Sequence, residues 1–276
     1  MKIMMIRGGL GNQLFQAAFA TFAKEGSSER IYVSTNGYHH DRLRKLEIDF
    51  EALNLRTIRV PRTLRRATAR LLPSMHSSFQ PNFVPPLEET RPLISGYFQD
   101  LNLALATPDY FKSYLAQQLM VENSHEPYVA VHLRLGDYLS SGVANYFGIT
   151  SPRWALRQAL QLAESQKIER ILVFTDSDEL VAKLPEINGG PFELKSAKSP
   201  WTALAMMSNA SALIMSNSSL SWWAAFSNHE ILGIKGPVIM PFPWQAVPSQ
   251  MDISLRHPGW SVVTRELFRS YETLMR

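Results

Sequence analysis

The sequence predicts an α/β protein, and three observations carry that expectation. Short apolar runs rich in β-branched residues recur along the chain, separated by stretches whose apolar residues repeat at helical spacing. Three of those runs end abruptly in glycine, serine, asparagine or charged residues, at the strand ends where open α/β sheets place their ligands. At 276 residues and 45% hydrophobic content, the chain holds enough apolar material for one large domain or two compact ones.

The elements follow in order. Lys2-Ile3-Met4-Met5-Ile6-Arg7 reads as a first strand and Gly8-Gly9-Leu10-Gly11-Asn12-Gln13 as a glycine-rich turn. Leu14, Phe15, Ala18, Phe19 and Phe22 repeat at helical spacing and predict a helix over 12–24. Strands are expected near 31–34 and 93–97, and a helix near 107–120. The stretch from Pro61 to Pro92, rich in proline and arginine, is the least regular part and reads as an insert. Glu122-Asn123-Ser124-His125-Glu126-Pro127 is polar, and its proline disfavours helix just before it. It marks a linker between halves spanning 1–125 and 126–276. The second half repeats the alternation, with strands at 128–133, 170–174, 211–215 and 237–240 and helices at 151–166, 177–184, 199–209 and 218–228. Ser151-Pro152 opens its helix as cap and first-turn residue.

Composition narrows the class. The chain has no cysteine, which excludes disulfides and thiolate metal sites and permits a cytosolic location. Only four apolar residues lie between Lys2 and Arg7, too few for a signal peptide or a spanning helix. A net charge of +4 suits a phosphate-bearing substrate and does not imply nucleic acid. Much of the basic character sits in Arg56, Arg59, Arg62, Arg65, Arg66 and Arg70, and the spacing over 63–72 allows an amphipathic helix with Leu64, Leu71 and Leu72 on one side. A solvated surface is the ordinary explanation; attraction to anionic lipid is the sharper one.

Three strand ends carry candidate chemistry. Val129-Ala130-Val131-His132-Leu133 breaks into Arg134-Leu135-Gly136-Asp137-Tyr138. A guanidinium matches a pair of phosphate oxygens because its donors form a fixed fork. The plain alternative pairs Arg134 with Asp137 across a turn and packs His132 in the core. The strand–glycine–helix segment over 2–24 can cradle an anion through backbone N–H groups and the helix dipole, around Gly9, Gly11 and Asn12. As a nucleotide fingerprint it is incomplete, lacking the Lys-Ser/Thr of a P-loop. The strand over 211–215 runs into Ser216-Asn217-Ser218-Ser219, where hydroxyls and amides suit a phosphate or where Asn217 or Ser218 simply caps the next helix. Trp222 and Trp223 read as packing residues. Asp176, with Glu179 three residues on, fits a capping box.

Taken together, Gly8 to Gln16, Val131 to Tyr138 and Ser216 to Phe226, in this order and spacing, resemble the bacterial and animal α-1,2-fucosyltransferases. These belong to the wider group of GDP-fucose enzymes with an HxRRxD signature. Ser95-Gly96-Tyr97-Phe98-Gln99, Val173-Phe174-Thr175-Asp176-Ser177-Asp178, Pro237-Val238-Ile239-Met240-Pro241 and Pro258-Gly259-Trp260 match further family segments. One position departs: the signature's second arginine is Leu135 here, while His132, Arg134, Gly136 and Asp137 are retained. That leaves the rate, or the choice of donor, open.

The resemblance implies a GT-B-like architecture of two facing Rossmann-like domains, with the acceptor on the 1–125 side and GDP-fucose held mostly by 126–276. It implies Arg134 as the main diphosphate contact and, with Asp137, a catalytic residue. The donor-binding candidates are Gly9, Gly11, Asn12, His132, Arg134, Asp176, Asn217, Ser218 and Ser219, with Asp176 on the guanosine. The implied reaction is an inverting transfer of L-fucose from GDP-β-L-fucose to the 2-hydroxyl of a terminal sugar, galactose by family expectation, on an oligosaccharide or lipid-linked glycan. No cofactor and no metal are expected, since no His/Asp/Glu cluster has ligand spacing and the related enzymes need none. The expected location is cytoplasmic, with peripheral contact at the inner membrane face allowed. The animal members carry a membrane anchor, which the short apolar run over 3–6 does not resemble, so the chain looks like a bacterial form.

The general base stays open among Asp137, His39, His40 and Asp41. Two other classes compete. A sugar-nucleotide-binding module of weak or no activity is allowed by Leu135. A glycosidase would need two facing carboxylates, and Asp176 and Asp178, two apart at a helix start, are poorly placed for that.

Overall fold

The computed structural model describes residues 1–35, 45–59, 63, 76–78, 84–120, 126–139, 141–247 and 251–270. The chain divides into two compact units, Met1–Leu115 and Ala116–Arg276. Each is an α/β unit built on a parallel sheet, so the two Rossmann-like units of the expected GT-B-like class are both present.

In the first unit β1 (Lys2–Met5), β2 (Ile31–Ser34), β3 (Arg56–Ile58), β4 (His76–Ser78) and β5 (Leu93–Ser95) form a sheet in the order β3-β2-β1-β5-β4. All its pairings are parallel. Helix α1 (Leu10–Glu25) follows β1, with α2 (Leu101–Leu105) and α3 (Asp109–Gln118) after β5. The apolar stripe of α1 buries Leu14, Phe15, Ala18 and Phe19, while Phe22 at its far end is 40% exposed. Phe19 stacks on Phe98 at a centroid distance of 4.1 Å. A Cβ at Gly96 would lie 2.8 Å from that Phe98 ring, which is why the segment before Phe98 needs a glycine.

In the second unit β6 (Tyr128–Leu133), β8 (Arg170–Thr175), β9 (Phe192–Lys195), β10 (Ala212–Ile214), β11 (Val238–Phe242) and β12 (Ser261–Thr264) form a sheet ordered β12-β11-β10-β6-β8-β9. A small antiparallel ladder joins β7 (Ile149–Thr150) to β13 (Leu267–Phe268). The α-helices among the described residues are α4 (Ser141–Phe147), α5 (Pro152–Gln166), α6 (Asp178–Val181), α7 (Pro185–Gly189), α8 (Pro200–Ser208), α9 (Ser219–Phe226) and α10 (Met251–Ser254). Ser151 caps α5 by accepting from the Trp154 N–H at 3.3 Å, with Pro152 in the first turn, as its sequence predicts. Ser199 does the same for α8. Trp222 and Trp223 are fully buried, as expected of packing residues.

Several expectations need revision. The helix expected over 177–184 is cut to four residues, and a proline at 185 opens the separate α7. The short strands β3, β4, β7, β9, β12 and β13 escape a reading by periodicity, because two to four residues are too few to show a period. Residues 122–125 of the polar linker over 122–127, and the basic stretch over 63–72 apart from Thr63, lie outside the described residues. No helix among the described residues is long and apolar enough to cross a membrane.

Sheet order locates the crevices. From β6 the chain proceeds to β8 and β9 on one side and to β10, β11 and β12 on the other, so the direction reverses between β6 and β10. In the first unit the corresponding reversal lies between β1 and β5. Such switch points, at the carboxyl ends of the strands, are where open α/β sheets bind ligands.

Candidate functional site

The switch point of the second unit gathers the two motifs that sequence reading singled out there. Register pairs Val131 with Ile214 across β6 and β10, and Leu133 with Thr175 across β6 and β8. The residues that leave those strand ends are therefore neighbours: Arg134 to Tyr138, Asp176 and Ser177, and Ser216 to Ser219.

Arg134 is held by two carboxylates. Its Nη2 lies 2.6 Å from Asp137 Oδ1 and its Nη1 lies 2.7 Å from Asp176 Oδ2. Its Cζ sits 5.8 Å from the centroid of the Tyr138 ring, within cation–π range. Burial opposes the charge on Arg134, but Asp176 and then Asp137 more than compensate, so its pKa is raised and the fork is permanently charged. The plain alternative of an Arg134–Asp137 pair is thus present, and it coexists with a guanidinium at a switch point.

Asp176 acts through the backbone as well. Its Oδ1 accepts from the Leu135 N–H at 2.9 Å and the Gly136 N–H at 3.0 Å. The expected capping box is absent: α6 is preceded by Ser177, which makes no side-chain cap bond. The Ser177 hydroxyl instead accepts from the Gly136 N–H at 3.0 Å. A Cβ at Gly136 would lie 2.2 Å from Asp176 Oδ2, so only glycine lets the carboxylate approach. Gly136→Ala is expected to push Asp176 off the loop, costing about 1–3 kcal/mol as overpacking does. A denaturant melt showing less than about 0.5 kcal/mol of loss would contradict that packing argument.

His132 is buried and its Nδ1 lies 2.9 Å from the Ser216 hydroxyl. Burial pushes its pKa down to about 4, with Asp176 opposing the drop and Arg134 adding to it, so the ring is neutral at pH 7. It positions Ser216 rather than supplying charge. The Ser216 N–H in turn donates to the buried Ser221 hydroxyl at 3.1 Å. Ser218 stands at the cap position of α9 without a side-chain cap bond, and Ser219 is partly exposed beside it.

The side chain of Asn217, a residue expected among the donor contacts, serves as a buried brace. Its Nδ2 donates to the carbonyls of Phe147 at 3.0 Å, Trp244 at 3.1 Å and Gly148 at 3.4 Å. Its Oδ1 accepts from Thr150 Oγ1 at 3.0 Å. A side chain 1% exposed and bonded this way has no N–H left to donate to a phosphate. Its own carbonyl accepts from the Tyr138 hydroxyl at 2.9 Å.

Sequence reading gave no role to Tyr138 and missed Arg265 altogether. Arg265 is 4% exposed and bonds to the same carbonyls as Asn217. Burial pushes its pKa down to about 10, with Tyr138 and Asp252 acting in the opposite direction, so it remains charged at pH 7. No motif surrounds it, and an arginine at the end of a strand carries no pattern of its own.

The first unit's motifs prove largely to bond to one another. Gly8 has a φ of +88°, and a Cβ there would lie 2.8 Å from Asn12 Nδ2. Gly9 precedes α1, and its carbonyl accepts from the Asn12 and Gln13 N–H groups, each at 3.0 Å. Asn12 Oδ1 accepts from Gln99 Nε2 at 2.7 Å. Gln16, fully buried, donates to the Gly96 carbonyl and accepts from the Arg7 N–H, both at 3.0 Å. Gly11 is buried, whereas Gly9 is partly exposed and a Cβ there would meet nothing within 4 Å. Most of the glutamine and asparagine in these segments therefore joins the loops after β1 and β5. Of the base candidates His39, His40 and Asp41, none lies within the described residues. No metal-binding group of three or more His, Cys, Asp or Glu occurs among the described residues.

Comparison with known proteins is consistent in one respect. The model of glycosyl transferase family 11 matches residues 89–263. An alpha-1,2-colitosyltransferase of Escherichia coli is 34% identical over 120 residues, covering 42% of this chain and 40% of that protein. The match therefore spans about two-fifths of the relative's length. Among solved structures, E. coli ADP-heptose lps heptosyltransferase II superposes with a TM-score of 0.48 at 15% identity, covering all of this chain and 94% of that one. POFUT1 in complex with GDP gives a TM-score of 0.45 at 13% identity over 86% of this chain and 96% of that one.

Proposed function

The chain belongs to glycosyl transferase family 11, and we propose that it is an inverting transferase that moves L-fucose from GDP-β-L-fucose to the 2-hydroxyl of a terminal galactose on a glycan acceptor. The observation that carries the reading is the Arg134 fork at the β6/β10 switch point, tied to the Ser216 loop by the 2.9 Å contact of His132 with Ser216. In this reading residues 126–276 hold the donor and residues 1–125 serve the acceptor.

The acceptor oxygen attacks the anomeric carbon from the face opposite the diphosphate and forms the new C–O bond. The bond from that carbon to the β-phosphate oxygen breaks, its electron pair leaves with GDP, and the hydroxyl proton passes to a base or to solvent. Negative charge grows on the departing β-phosphate. Arg134 and the hydroxyls of Ser218 and Ser219 supply donors for it, and preorganised donors of this kind are worth about 10²–10³ in rate each. Gly9, Gly11 and Asn12 stay donor-binding candidates of the first unit, although the Asn12 N–H is already taken by the Gly9 carbonyl at 3.0 Å. Asp176 and His132 then orient Arg134 and Ser216. Asp137 is the base candidate among the described residues, once the diphosphate has taken its place on Arg134.

Incubation with GDP-fucose, a panel of galactosides and excess chelator is expected to release GDP in step with an α-1,2-linked product. Activity that returns only with magnesium or manganese would overturn the metal-independent mechanism. One observation favours a second reading: both carboxylates already occupy Arg134. GDP binding without acceptor-dependent GDP release would make the chain a binding module. The E. coli relative makes colitose the competing sugar, and faster turnover of a colitose donor would displace fucose.

A further inference from the structure

We propose that Arg265 is the second cation of the donor pocket, a buried positioning residue that acts from behind the Asn217 loop and offsets the surplus negative charge around Arg134. The inference rests on the donor reading above. At the end of β6 one guanidinium faces two carboxylates, Arg134 against Asp137 and Asp176. With His132 neutral, a diphosphate brought to that cluster alone would meet a net negative charge.

Tyr138 is where the balance is restored. Its ring lies under the Arg134 guanidinium, and its hydroxyl donates to the Asn217 carbonyl at 2.9 Å. Arg134, Asp137, Arg265 and Asp176 all act electrostatically on its phenol. Of the charged groups that act on this phenol, two are then positive and two negative, so Arg265 offsets the second carboxylate there.

The bonding of Arg265 shows that its charge is surplus to the scaffold. Nε donates to the Pro243 carbonyl at 2.7 Å, and Nη1 to Thr150 Oγ1 at 2.7 Å and the Gly148 carbonyl at 3.3 Å. Nη2 donates to the Phe147 carbonyl at 2.6 Å and the Trp244 carbonyl at 3.3 Å. Every one of these acceptors is neutral. Asn217 braces three of the same carbonyls without any charge, so a neutral side chain suffices for that task. Burying a full charge whose hydrogen bonds all go to neutral oxygens is costly, and the Asp252 carboxylate offsets part of that cost. What the charge adds is a field that water and salt screen little, because Arg265 is dry.

The test is calorimetric titration of wild type, Arg265→Gln and Arg265→Lys with GDP, guanosine and pyrophosphate, alongside melting curves. Arg265→Gln is expected to weaken GDP and pyrophosphate by about tenfold or more and guanosine by less than about twofold. Arg265→Lys keeps the charge and loses most of the fork. It is expected to melt lower yet hold GDP within about threefold. Equal losses for GDP and guanosine, or a lysine protein as weak for GDP as the glutamine one, would reduce Arg265 to a scaffold. If the glutamine protein does not fold, the lysine protein decides: GDP affinity retained despite a lower melting temperature supports the charge, and a loss of about tenfold overturns it. Wild type that binds pyrophosphate but prefers UDP to GDP sinks the donor reading, and pyrophosphate then settles Arg265. Wild type that binds neither GDP nor pyrophosphate sinks both.

Discussion

Arg134→Ala is expected to lower transfer by about 10³-fold or more, the scale at which a single arginine acts in phosphoryl chemistry. The fork is the fixed cation at the β6/β10 switch point, and its removal leaves Asp137 and Asp176 facing an incoming diphosphate with no charge between them. Both carboxylates are partly exposed, so water can solvate them and the fold should survive. Steady-state turnover with a GDP titration and a melting curve separates these terms. A folded variant that keeps more than about a tenth of wild-type turnover removes Arg134 from the diphosphate clamp. Arg134→Lys tests geometry against charge: an ammonium cannot grip two carboxylates and a phosphate as a fork does, so only partial recovery is expected.

Leu135→Arg, which restores the arginine of the family signature, is expected to damage the protein rather than improve it. Leu135 is 1% exposed and belongs to one cluster with Val131, Leu133, Ile149, Trp154 and Val173. Leu135 lies two residues beyond the end of β6 and still packs in one cluster with Val131 and Leu133. A guanidinium there is buried without a partner, which costs about 3–5 kcal/mol. At about 2–4 °C per kcal/mol for a unit of this size, the melting temperature should drop on the order of 10 °C. Unchanged stability together with tighter GDP binding would show that the position faces the donor. The burial of Leu135 accounts for the departure from the signature as packing.

Where a strand or helix is long enough to display its period, the sequence was a sufficient guide. The runs at 128–133 and 170–174 became β6 and β8, and Ser151-Pro152 started α5 where cap chemistry requires. The sharp change from apolar strand to polar turn also marked Arg134 and the Ser216 loop as strand-end residues. These signals are local, because burial of one face and satisfaction of the first helical N–H groups are decided within a few residues.

The partners of the site are not local. Asp176 reaches the Leu135 and Gly136 amides only because β8 lies beside β6 in register, and no spacing of 40 residues announces that contact. Asn217 carried the sequence signature of a cap or a phosphate ligand, yet three carbonyls brought in from Phe147, Gly148 and Trp244 consume its amide. Asn12 and Gln99 likewise read as separate motifs and prove to be each other's partners. Sequence by itself determined the α/β class, the strand ends and the charge of each candidate. The order of the strands decided which candidates meet, which are spent on the backbone, and that Arg265 stands behind them. A hydrogen bond or ion pair depends on distances of a few ångströms, and only the folded sheet sets those distances.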